Sequence, residues 1–120
     1  MSENMEINLQ QTYSKLDIAW AAGFYEGEGC IYTPKKHLGT QLSVAQKESE
    51  CLERLQMIFR FGTIDPPGKG NTCYRWRVTS FERVQAVIAM LWPWLSERRR
   101  VQARDALVPA RAGWKRRTRT

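Results

Sequence analysis

The chain has 120 residues, with 19 Lys and Arg against 12 Asp and Glu, a net charge of +7 and a sequence pI of about 9.7. That length makes one domain that buries roughly two thirds of its unfolded surface, and the charge balance points to a polyanionic partner, nucleic acid first. Three cysteines, Cys30, Cys51 and Cys73, are odd in number and far apart, which excludes a disulfide framework and a zinc spacing.

Residues 1–14 read as a polar, acidic extension with neither the apolar core of a signal peptide nor the arginines of a transit peptide. With no apolar run near a membrane span, the expectation is a reducing, cytoplasmic compartment and no membrane partner. Ser14 caps a helix starting at Lys15, and Asp17 three residues later completes an approximate capping box. In this helix Leu16, Trp20 and Phe24 recur every four residues as a bulky stripe suited to the core. Ala19, Gly23 and Gly27 form a smooth stripe suited either to tight internal packing or to a second helix at close range. The helix ends in G-E-G-E-G, with Glu26 and Glu28 set between glycines, which is either a solvated turn or a metal site at a helix end.

Cys30 to Lys36 alternates as a strand bent at Pro34, with Ile31 and Thr33 on one face and Cys30, Tyr32 and Lys36 on the other. His37 to Gly39 turns it back into a second strand, Thr40 to Lys47, with Leu42 and Val44 inward and Gln41, Ser43 and Ala45 outward. Glu48 to Phe61 reads as a helix stopped by Gly62, its apolar stripe Cys51, Leu52, Leu55, Ile58 and Phe59. Thr63 to Asp65 is a short strand, and Cys73 to Val78 another in which Tyr74, Trp76 and Val78 alternate with Arg75 and Arg77. Two arginines on one strand face beside a polar hairpin suit nucleic-acid contact. Thr79 and Glu82 box a helix carrying Val84, Val87, Ile88 and Leu91 that ends before Pro93, and Trp92, Trp94 and Leu95 continue its core. Ser96 caps a last helix to about Val108, whose first turn holds Arg98, Arg99 and Arg100. Cations there oppose the helix dipole, so a bound anion is expected. The domain spans 15–108, and 109–120 is a basic tail.

Ala21 to Gly29, A-A-G-F-Y-E-G-E-G, resembles the signature of the LAGLIDADG homing endonucleases, with Ala21 in place of the usual leucine and Tyr25 at an aliphatic position. L-S-V-A-Q-K, Y-R-W-R-V-T and P-W-L-S-E-R-R-R-V-Q-A are similar to later segments of the same family. The resemblance implies an α+β fold in the order helix, two strands, helix, two strands, helices. Its four-stranded antiparallel sheet is saddle-shaped, with helices on one face, and the protein is a homodimer. It implies Glu28 as catalytic acid and metal ligand beside the Gly27 carbonyl, Glu26 as structural, and Gln46 near the cleavage site. It also brings Arg98 or Arg99 to the scissile phosphates. The implied cofactor is Mg²⁺, with Mn²⁺ as a substitute. The implied partner is double-stranded DNA with a pseudo-palindromic site, met in the major groove by Tyr32, Lys36, Gln41, Ser43, Lys47, Arg75 and Arg77. Because one motif supplies one acid, Ala19, Gly23 and Gly27 would pack on their own copy about a two-fold axis. A maturase acting on intron RNA and a non-catalytic DNA-binding regulator are the alternatives on the same scaffold.

Overall fold

The computed structural model describes residues 14–33 and 39–119, with side-chain surroundings up to 108. Helix α1, Lys15–Glu28, starts where the sequence places it. Ser14 Oγ accepts the Asp17 N–H at 3.2 Å and the Asp17 carboxylate accepts the Ser14 N–H at 3.0 Å, closing the capping box. The face it buries is not the expected one. Ile18, Ala21, Ala22 and Tyr25 point inward, whereas Leu16 is 82% exposed and Trp20 and Phe24 are half-buried, stacked on each other with centroids 5.4 Å apart. Apolar residues lie on nearly every side of this helix, so periodicity does not choose a face. Two adjacent alanines let the backbone settle close to the sheet, and Tyr25 fills the remaining volume.

Strand β1, Gly29–Tyr32, follows without a gap, and β2 spans Gln41–Gln46. β1 stops at Tyr32 because Thr33 turns to the helix layer: its Oγ1 donates to Ala106 O at 2.8 Å, and Thr40 Oγ1 donates to the same oxygen at 3.3 Å. The expected bend at Pro34, and Lys36 with it, lie outside the described residues. Helix α2, Glu50–Phe59, buries Leu52, Leu55, Ile58 and Phe59 but leaves Cys51 exposed. Its stop comes earlier than Gly62: Arg60 adopts the left-handed conformation at φ 70 and donates its N–H to Gln56 O at 2.7 Å. Gly62, at φ 98, is needed where the Trp76 indole presses on its Cα.

Strands β3, Thr63–Asp65, and β4, Tyr74–Val78, complete one antiparallel sheet in the order β1-β2-β4-β3. Helix α3, Phe81–Leu91, is capped by Ser80 rather than Thr79, the Ser80 hydroxyl accepting the Arg83 N–H at 3.0 Å. Trp92–Trp94 form a single 3₁₀ turn around Pro93. Of the residues expected to extend the core there, Leu95 is buried, Trp92 half-buried, and Trp94 43% exposed. Helix α4 runs from Glu97 to Arg119, past the expected end at Val108. The core lies on one face of the sheet, where Leu42, Val44, Trp76 and Val78 meet Tyr25, Leu52, Leu55, Val84, Val87 and Leu91. At roughly 1.5 to 3 kcal/mol for each large apolar side chain buried, this layer holds the fold together.

Candidate metal and nucleic-acid site

The last turn of α1 leaves its carbonyl oxygens and two acids at the sheet's edge. The acids have different surroundings. Glu26 accepts hydrogen bonds from the Ser96 N–H at 3.0 Å and the Ser96 hydroxyl at 2.6 Å, and Arg98 lies 3.9 Å away. These contacts, Ser96 foremost, hold its carboxyl below the usual glutamate range. Glu26 is thus the anion expected at the arginine-rich start of α4, supplied from within the chain. Glu28 is exposed and belongs to none of the ion pairs among the described residues.

The glycines beside Glu28 also differ. Among the described residues a Cβ on Gly27 would meet nothing within 4 Å, so that side is open to a partner. Gly29 has ordinary extended backbone, φ −75 and ψ 159, and is glycine because a Cβ would run into the Tyr25 ring. Tyr25 is buried with its hydroxyl unpaired among the described residues, and burial pushes its pKa up to about 12.

Arg99 and Arg98, interchangeable in the sequence, separate in the structure. Arg99 is 8% exposed; its Nε donates to Glu26 O at 3.0 Å and its Nη1 to Gly29 O at 2.8 Å and to Gln102 at 2.9 Å, with the guanidinium 5.3 Å from the Tyr25 ring centre. It clamps the backbone on both sides of Glu28. Arg100 donates to the Trp92 and Pro93 carbonyls. Arg98 keeps a 63% exposed side chain at the same helix end.

Register brings β2 to this end as well. Gly29 pairs with Val44, so half-buried Gln46 lies two residues further along β2, about 7 Å, with exposed Lys47 next to it. Gln46 shares the parity of Leu42 and Val44, the side on which the helices lie.

The opposite face of the sheet carries Cys30, Tyr32, Gln41, Ser43, Ala45, Thr63, Asp65, Arg75 and Arg77, as cross-strand pairing requires. Six of its polar side chains are paired with one another. Tyr32 Oη donates to Gln41 at 2.8 Å, Arg75 Nη1 donates to Ser43 Oγ at 3.1 Å and covers it, and Arg77 Nε donates to Asp65 at 2.9 Å. That last contact holds the Asp65 carboxyl below its usual range. Asp65 was not foreseen as part of this face, although its parity with Thr63 in T-I-D was visible. Tyr32, Gln41, Ser43, Arg75 and Arg77 are therefore gathered on one surface, Gln46, Lys47, Glu28, Gly27 and Arg98 at one end of the sheet, and Ala19, Gly23 and Gly27 along α1.

A four-stranded antiparallel sheet with one polar, arginine-bearing face, and an acid at the end of the helix leading into it, defines the class of scaffold. No protein-family model and no curated protein sequence matches the chain. Solved structures do. The homing endonuclease I-CvuI, bound to the I-CreI target in 2 mM Mg with the DNA not cleaved, is 26% identical with a TM-score of 0.65 over 78% of this chain and 64% of that one. I-CvuI with its own target in 2 mM Ca gives a TM-score of 0.63 at the same identity. The homing endonuclease I-TnaI shares the fold at 18% identity and a TM-score of 0.59 over 72% of this chain and 66% of that one. The match spans a little under two thirds of the I-CvuI chain. Together with the A-A-G-F-Y-E-G-E-G motif, these matches make the chain similar to the LAGLIDADG homing endonucleases in fold and in sequence.

Proposed function

We propose that the protein is a site-specific DNA endonuclease that works as a homodimer with a divalent cation, Mg²⁺ or, as a substitute, Mn²⁺. The observation that carries the reading is Glu28, an exposed carboxylate at a rigid helix end beside a polar, arginine-bearing sheet face, while its neighbour Glu26 is occupied in capping α4. Hard oxygen donors suit such a cation, and Glu28 with the Gly27 carbonyl would hold it. Bound there, the cation's chemistry is to activate water and neutralise charge on the leaving oxygen.

The chain's own residues supply the rest. Arg99 fixes the carbonyls on either side of Glu28, so the carboxylate projects from a backbone that does not shift. Arg98 offers a cation to the phosphate without competing for Arg99's bonds, and Gln46 orders water at the end of β2. Arg75, Arg77, Gln41, Ser43 and Tyr32 face the major groove, exchanging the hydrogen bonds they make with each other for base edges. The two-fold seam is the outer stripe of α1, where Leu16, Gly23 and Gly27 are exposed beside Ala19. Glu28→Gln should abolish Mg²⁺-dependent plasmid cleavage and leave DNA binding and the melting temperature near wild type. Wild-type nicking by that variant would remove Glu28 from the mechanism, and binding without any cleavage by the unmodified protein would make it a non-catalytic DNA-binding regulator.

A further inference from the structure

A cavity of about 270 Å³ opens at the β3 edge of the sheet, lined by Arg60, Arg77 and Arg83 together with Gly62, Thr63 and Thr79. Arg77 has an acid partner in Asp65, but Arg60 and Arg83 form no ion pair among the described residues. Arg83 is held in place by its stack on Phe61, 5.3 Å from the ring centre. Arg60 occupies a left-handed backbone position, φ 70, where glycine or asparagine is the unstrained choice. Two arginines with no acid partner among the described residues thus line one cavity, and an anion held between them offsets their mutual repulsion.

The cavity is far from Glu28. Thr63 pairs with Arg77, and Val78 with Leu42, whereas Gln46 pairs with Tyr74, so the cavity lies about four residues, or roughly 13 Å, further along β4 than the candidate cleavage site. It also lies at the outer strand of the sheet, on the side away from β1 and α1. A phosphate held here is not the one being cut.

We propose that Arg60 and Arg83 form a phosphate-binding pocket that grips a backbone phosphate on the outer flank of each DNA half-site. It anchors the duplex without reading sequence. That the phosphate belongs to DNA rests on the proposed function above; that the pocket takes a phosphate does not.

Two measurements on the full chain separate the claims. In the first, inorganic phosphate is titrated into the protein while the Trp76 indole N–H is followed by NMR, since that group donates to Phe61 O at 3.2 Å in the cavity wall. A saturable shift is expected, lost in the double variant Arg60→Gly/Arg83→Gln and kept in Arg83→Lys, which retains the charge. Glycine at 60 suits the left-handed backbone, and an unchanged melting temperature confirms the fold of each variant. In the second, binding of several unrelated DNA duplexes is measured against salt. The double variant should bind all of them about 10-fold more weakly at low salt, with a log–log salt slope smaller by about two for each bound protomer. A phosphate shift with no change in DNA affinity or slope overturns the DNA assignment and leaves a pocket for free phosphate. No phosphate shift in the wild-type protein, or an equal shift in the double variant, overturns the pocket itself. If the wild-type protein binds no DNA, the endonuclease reading fails while the titration still decides the pocket.

Discussion

Replacing Arg99 with lysine keeps the charge at the start of α4 and removes the fork that holds Glu26 O and Gly29 O. An ammonium group at the end of a flexible stem can bond one of these carbonyls, and the other is left without a donor in a site where Arg99 itself is only 8% exposed. One unsatisfied buried carbonyl costs about 1–3 kcal/mol. For a domain of this size about 4 °C of melting temperature corresponds to 1 kcal/mol, so Arg99→Lys should melt roughly 4–12 °C below wild type. Its single-turnover cleavage at saturating DNA and low temperature should fall as well, because the backbone carrying Glu28 is no longer fixed. Arg98→Lys, at an exposed position, should leave melting unchanged. If Arg99→Lys melts like wild type, the clamp is not what Arg99 contributes, and a cleavage defect without a melting defect would return it to direct contact with the phosphates.

Gly23→Leu meets open space among the described residues, where a Cβ has nothing within 4 Å, so the variant should fold while sedimenting as a monomer and losing double-strand cleavage; a folded dimer that still cuts would place the two-fold seam elsewhere. Tyr25→Phe removes a buried hydroxyl that has no partner among the described residues and should stabilise the fold by about 1 kcal/mol in denaturant unfolding, or at least not weaken it. Glu26 is held below its ordinary range by Ser96 and Asp65 by Arg77, so both bind protons less readily in the folded than in the unfolded chain. Their stabilising contribution is complete above the unfolded values, near about pH 4, and is lost as pH falls through the lower native ones. Glu26→Gln should therefore melt lower at neutral pH and show a flatter acid limb in a melting-temperature series from pH 6 to pH 2.

The order of elements, the Ser14–Asp17 box, the two faces of β2 and β4 and the buried stripe of α3 were all legible in the sequence, because each depends on spacing within a few residues. The motif at the end of α1 was legible for the same reason. The choice of face on α1 was not: with apolar residues all round, only the fit of Ala21, Ala22 and Tyr25 against the sheet turned Leu16 outward. Nor could the sequence separate Glu26 from Glu28 or Arg98 from Arg99, since the bonds that distinguish them join residues 70 positions apart. Arg75 and Arg77 read as equivalent until β3 brought in Asp65, which pairs with Arg75 in register but accepts the hydrogen bonds of Arg77. Local periodicity sets which residues can share a face, but which polar group is occupied and which is left free depends on what the folded chain brings into hydrogen-bond range. At the end of α1 that difference separates a helix cap from the candidate metal ligand.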